Sequence, residues 1–162
     1  MKINKTLLLI SILLIQNTLI FAKWHSFEEG LSLAVKQKKP MLVDFYTNWC
    51  HWCKVMDEKT FNDPTIKEYL SKNFITARIL ADSKTDSTTY INKTYPNNVF
   101  TSAMGITGFP SLVFFDKNGK PLTKIPGYIP PEKFINILKY IHKELYLKNI
   151  NFEDYLNNPN KY

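Results

Sequence analysis

An α/β domain with a small sheet covered by helices on both faces is predicted by three observations. Apolar runs of strand length occur at Met41–Tyr46 and Ser111–Phe115, and segments with helical spacing alternate with them. A turn signal over 116–119, Asp-Lys-Asn-Gly, joins two strands into one hairpin. The composition agrees: 162 residues, 44% hydrophobic and 22% charged with only 5 Gly, suit one globular domain rather than a disordered, collagen-like or repeat protein.

Each element has its own signal. Ser26 followed by Glu29 forms a capping box ahead of Leu31, Ala34 and Val35, and Lys38-Lys39-Pro40 ends that helix. Met41–Tyr46 reads as a buried strand, Thr47-Asn48-Trp49 as a turn, and residues 50–58 as a helix. Asp63-Pro64 starts another helix, with Pro at its first position and Ile66, Tyr69 and Leu70 along it. Residues 74–80 read as a second strand. The polar, Thr- and Asn-rich stretch 83–104 reads as a long connection. Ser111–Phe115 and 121–125 complete the hairpin. An amphipathic helix is expected over 131–147, with Phe134, Leu138, Ile141 and Leu145 on one face. Residues 148–162 read as a polar tail.

The first 22 residues read as an address. Lys2 and Lys5 precede an apolar stretch over 7–15, Gln16-Asn17-Thr18 interrupts it, and Ala22 offers a small residue before a cut. The apolar stretch falls short of the roughly 20 residues a spanning helix needs. The expectation is a cleaved signal peptide over 1–22 and a mature protein from Lys23 in the periplasm; the alternative is an N-terminal membrane anchor. The formal charge is +7, of which Lys2 and Lys5 contribute two, leaving +5. All the basic residues but Arg78 are Lys, and no basic run exceeds two, so nucleic acid is not an expected partner.

The chemistry centres on Cys50-His51-Trp52-Cys53. A disulfide closing so short a loop stabilises by only about 2 kcal/mol, so it is a poor staple but an easily reversed bond. Cys50 follows a strand and a turn, which places it at the start of a helix. There the dipole and free N–H groups favour a thiolate. Cys53 stands one turn on, within bridging reach and expected to be the more buried of the two. Cys50 is therefore read as the attacking sulfur and Cys53 as the resolving one. Haem attachment would want His where Lys54 stands, and His25, His51 and His142 have no zinc-ligand spacing. A Cu(I) carrier using Cys50, Cys53 and Met56 is the rival from another class.

The run 41–54, Met-Leu-Val-Asp-Phe-Tyr-Thr-Asn-Trp-Cys-His-Trp-Cys-Lys, resembles the active-site segment of thioredoxin-like proteins. Residues 105–116, Gly-Ile-Thr-Gly-Phe-Pro-Ser-Leu-Val-Phe-Phe-Asp, resemble that family's cis-proline loop and following strand, and 127–134 its turn into the last helix. The resemblance implies a thioredoxin fold over 23–147, with a central mixed sheet of about four to five strands flanked by helices. It implies that Cys50 and Cys53 are a redox-active disulfide. It makes Asp44 a buried acid that exchanges a proton with the resolving thiol, in apolar surroundings. Phe109 and cis-Pro110 would offer backbone to a substrate strand, and Trp49 would be the aromatic before the first Cys; a plain core role for Trp49 is the alternative. The His-Trp dipeptide departs from familiar members, which leaves the direction of electron flow open.

The nearest subgroup is exported thioredoxin-like proteins, including the soluble domain of the membrane thiol:disulfide interchange protein. The expected activity is thus thiol:disulfide exchange, as a reductase of exported proteins, without an organic cofactor or metal. Its partners would be disulfide-bearing proteins and a membrane electron donor. An oxidase or isomerase using the same site is the alternative.

Overall fold

The computed structural model describes residues 23–162; the leader or anchor expected over 1–22 lies outside them. Five strands form one mixed sheet: β1 (Trp24–His25), β2 (Met41–Tyr46), β3 (Ile75–Leu80), β6 (Ser111–Phe115) and β7 (Pro121–Pro126), in the order β1-β3-β2-β6-β7. The hairpin β4 (Ser87–Tyr90) and β5 (Lys93–Pro96) stands apart from it. The central strand β2 runs parallel to β3 and antiparallel to β6. Because side chains alternate across a strand, β2 feeds two cores. Met41, Val43 and Phe45 pack with α1 (Phe27–Gln37) and α4 (Asn97–Ala103). Leu42 points the other way, toward the helices α3 (Pro64–Asn73) and α5 (Pro131–His142).

Capping fixes the helix starts. Ser26 Oγ accepts the Glu29 N–H at 3.3 Å, and Asp63 Oδ1 accepts that of Ile66 at 3.0 Å. The helix expected over 50–58 is α2 (His51–Val55), continued by a π-helical segment, Met56–Phe61.

Two expectations are sharpened or corrected. The long connection over 83–104 carries secondary structure of its own, β4, β5 and α4. Three of its polar residues face inward: Thr88 Oγ1 donates to Asn97 Oδ1 at 2.8 Å, Asn97 Nδ2 donates to the Leu80 carbonyl at 3.3 Å, and Thr101 Oγ1 donates to that of Ala81 at 3.0 Å. Phe100 pins the segment to Phe27, Phe45, Tyr90 and Tyr95. The helix expected over 131–147 stops at His142, because Glu144 adopts a left-handed conformation (φ 51°) and a 3-10 turn, Leu145–Lys148, follows. That break keeps Leu145 buried while turning the chain.

The segment 148–162 folds back on α5 through a final α-helix, α6 (Phe152–Asn157). Tyr155 is fully buried, and its ring lies 5.8 Å from that of Tyr140, whose hydroxyl donates to the Ile150 carbonyl at 2.7 Å. Tyr155→Ala should therefore cost about 3 kcal/mol in urea unfolding, the range for emptying a buried aromatic site. Tyr155→Phe should be neutral or slightly stabilising, because the buried hydroxyl has no partner among the described residues. Equal stability of the Ala variant and the parent would make the segment dispensable.

Candidate active site

Strand β2 ends at Tyr46 and the chain turns through Thr47, whose carbonyl accepts the Cys50 N–H at 3.2 Å. Cys50 is the N-cap of α2: its Sγ accepts the backbone N–H of Cys53 at 3.0 Å. The two cysteines form a disulfide and are equally buried, each 5% exposed, so Cys53 is not the deeper one expected and the hydrogen bonding of Cys50 is what distinguishes them. The hydrogen bond to Cys50, at the positive end of a helix, is the arrangement that favours charge on that sulfur.

Rings surround the disulfide. Trp49 is 70% exposed, so it is not a core residue. Its Nε1 donates to Asp82 Oδ2 at 2.8 Å, and its ring meets the edge of Phe109 at 6.0 Å. The Phe109–Pro110 peptide is cis. The Pro110 carbonyl accepts the N–H of Gly127 at 2.7 Å, where a φ of +85° suits glycine. Met56, the third ligand of the copper alternative, is wholly buried in the core with Leu42 and Phe61, which commits its thioether to packing. Among the described residues no group of three or more His, Cys, Asp or Glu is placed to hold a metal ion.

Asp44 is 2% exposed in the middle of β2, on the face shared with Leu42 that looks toward the π-helical segment, α3 and α5. The apolar surroundings expected for it are interrupted by one cation. Arg78 is its register partner on β3, with Nε 3.1 Å from Asp44 Oδ2. The same guanidinium holds Asp57, on the π-helical segment, and lies over the Trp24 ring at 4.2 Å, a cation–π contact of about 1–2 kcal/mol. Burial pushes the Asp44 carboxyl up from 3.8 to about 7; Arg78 opposes that rise and the Asp57 charge adds to it. Asp44 Oδ1 has no hydrogen-bond partner among the described residues. A cleft of about 350 Å³, lined by Trp24, Asp57, Phe61 and Arg78 among others, opens beside this group.

The structure thus sets Trp49, Cys50 and Cys53 beside Phe109 and Pro110, with Asp44 buried in β2 on the face it shares with Leu42. Sequence reasoning missed Arg78, Asp57 and Tyr128. An arginine inside the apolar run Ile75–Leu80 was the available signal for the first; nothing local marked the other two.

The sequence profile of the thioredoxin-like domain family matches residues 27–142. The thiol:disulfide interchange protein DsbD of Tatumella citrea is 30% identical over 115 residues, covering 69% of this chain and 18% of that protein. The chain therefore spans about a fifth of the length of such relatives. Among solved structures, a thioredoxin from Thermus thermophilus aligns with a TM-score of 0.60 and 22% identity, over 74% of this chain and 85% of that one. A DsbH oxidoreductase aligns at 0.58 and 23%, over 81% and 92%.

The raised Asp44 value has a consequence for stability. Between about pH 4 and pH 7 the folded protein holds a proton on Asp44 that the unfolded chain has released. The group's contribution is fully present below pH 4 and is lost as pH rises through 7. Asp44→Asn cannot ionise, so its stability relative to the parent should climb across that window, by on the order of a few kcal/mol, and level off above it. Urea titrations at pH 4.5, 6 and 8 check this. A difference that does not change with pH would mean that Asp44 ionises in its ordinary range.

Proposed function

Because this chain belongs to the thioredoxin-like family of thiol:disulfide oxidoreductases, we propose that it reduces disulfides in exported proteins. It does so outside the cytoplasm, after removal of residues 1–22, and is recharged by a membrane thiol:disulfide electron donor. The observation that carries this reading is the Cys50–Cys53 disulfide itself, with Cys50 Sγ capping α2 and accepting the Cys53 N–H.

In the reduced protein the Cys50 thiolate attacks a substrate disulfide. One substrate sulfur leaves, takes a proton and becomes a thiol, while the other joins Cys50 in a mixed disulfide. Cys53 then gives up its proton and attacks Cys50, closing the Cys50–Cys53 bond and releasing the second substrate sulfur. Two electrons pass from protein to substrate, and no organic cofactor or metal takes part. Asp44, a buried acid titrating near neutrality, accepts the Cys53 proton. Trp49, Phe109 and Pro110 bind the substrate chain beside the sulfurs.

Three measurements test this. Cys50 should be alkylated well before Cys53 in the reduced protein at pH 7; the reverse order would exchange their roles. Asp44→Asn should leave the first attack nearly intact and slow the second step by on the order of tenfold to a hundredfold, so that mixed disulfide accumulates after acid quench. A glutathione titration should place the potential at about −270 mV. A value near ~−120 mV would make the protein an oxidant of thiols and end the reductase assignment.

A further inference from the structure

Two exposed tryptophans flank the disulfide, and each is backed by a second ring. Trp49 leans on Phe109. Trp52, between the cysteines, is 54% exposed and stacks on Tyr128 with centroids 5.7 Å apart and planes at 27°. Tyr128 comes from the loop between β7 and α5, and that loop is tied down on both sides of it. The Gly127 N–H donates to the Pro110 carbonyl at 2.7 Å, and the Ile129 carbonyl accepts Thr60 Oγ1 at 2.7 Å. One tie reaches the loop that carries Phe109, the other the helical segment that follows the cysteines. The Trp52–Tyr128 pair is thus set on a fixed backbone, with a large apolar face left in water. Exposed aromatic area of this kind marks an interaction surface.

We propose that Trp52 and Tyr128 form a specificity surface for a polypeptide substrate, receiving a bulky apolar side chain, aromatic by preference, next to the substrate's reactive cysteine. The proposal rests on the disulfide-exchange reading above. A substrate sulfur that reaches Cys50 brings its flanking chain across the rings on either side. Among the described residues no backbone hydrogen bond engages Phe109, which leaves a short edge for an extended segment. Among the described residues the polar groups held against these four rings are the Asp82 carboxylate, which accepts the Trp49 Nε1 hydrogen bond, and the His51 ring beside Trp52. The ring pairs therefore offer apolar area rather than a charge to read. Stacked rings with two side-chain torsions each also lose little freedom on binding.

Trp52 lies inside the redox motif, so the test is made at Tyr128. Peptide disulfides that differ only in the residue beside the cysteine, Phe or Ser, are reduced by the full mature protein under dithiol recycling. The parent should favour the Phe peptide about tenfold, chiefly through KM. Tyr128→Ser should bring that ratio to within about twofold, and Tyr128→Phe should restore it. A glutathione titration of Tyr128→Ser should show the parent's potential. No preference in the parent, a ratio unmoved by Tyr128→Ser, or a ratio lost only together with a shifted potential would overturn the specificity surface. Failure to reduce either peptide would instead overturn the exchange reading on which it stands.

Discussion

Coverage of strand β2 on both faces is the constraint from which the rest of the molecule follows. A strand flanked by β3 and β6 and packed above and below has no solvent side, so Met41 to Phe45 must all be accommodated in the interior. Two separate cores result, one under α1 and α4 and one under α3 and α5. The strand leaves the sheet at a fixed point and direction, and the turn after Tyr46 delivers Cys50 to the start of α2. The position of the disulfide is thus set by the packing of a strand that touches no substrate.

Placing a carboxyl in such a strand is costly, and the surroundings of Asp44 offset that cost only in part. Arg78 supplies the compensating charge, but it is shared with Asp57 and stacked against Trp24, so its attraction is divided. Desolvation outweighs it, and the acid is held near neutrality rather than driven to full ionisation.

The parts legible in the sequence are those whose signal is local. Met41–Tyr46 and Ser111–Phe115 were readable because burial on two faces leaves an uninterrupted apolar run, and the cysteines because their spacing is itself the motif. The elements within the 83–104 connection were not legible because three of its polar residues, Thr88, Asn97 and Thr101, are buried. Thr88 donates to Asn97, and Asn97 and Thr101 donate to the Leu80 and Ala81 carbonyls at the C-terminal end of β3, so these three residues of the connection belong to a hydrogen-bonded interior. Its hairpin also turns through Ile91 and Asn92, both with positive φ, without the glycine that usually announces such a turn. Arg78 and Tyr128 belong to the site only through register and loop closure, over separations that no local pattern spans.

The choice of arginine as the buried acid's partner fixes how many protons the cluster can carry. A guanidinium does not titrate in a protein, so it cannot hand a proton to either carboxylate and leave a neutral pair. With Asp57 and Arg78 charged, the trio is neutral when Asp44 holds its proton and carries a single negative charge when it does not. It behaves as a one-proton reservoir set near the pH of its surroundings, half filled at about pH 7. A cleft lined by Trp24, Asp57 and Arg78 opens onto the guanidinium that the two carboxylates share, and the first strand of the domain, two residues long, contributes part of its wall.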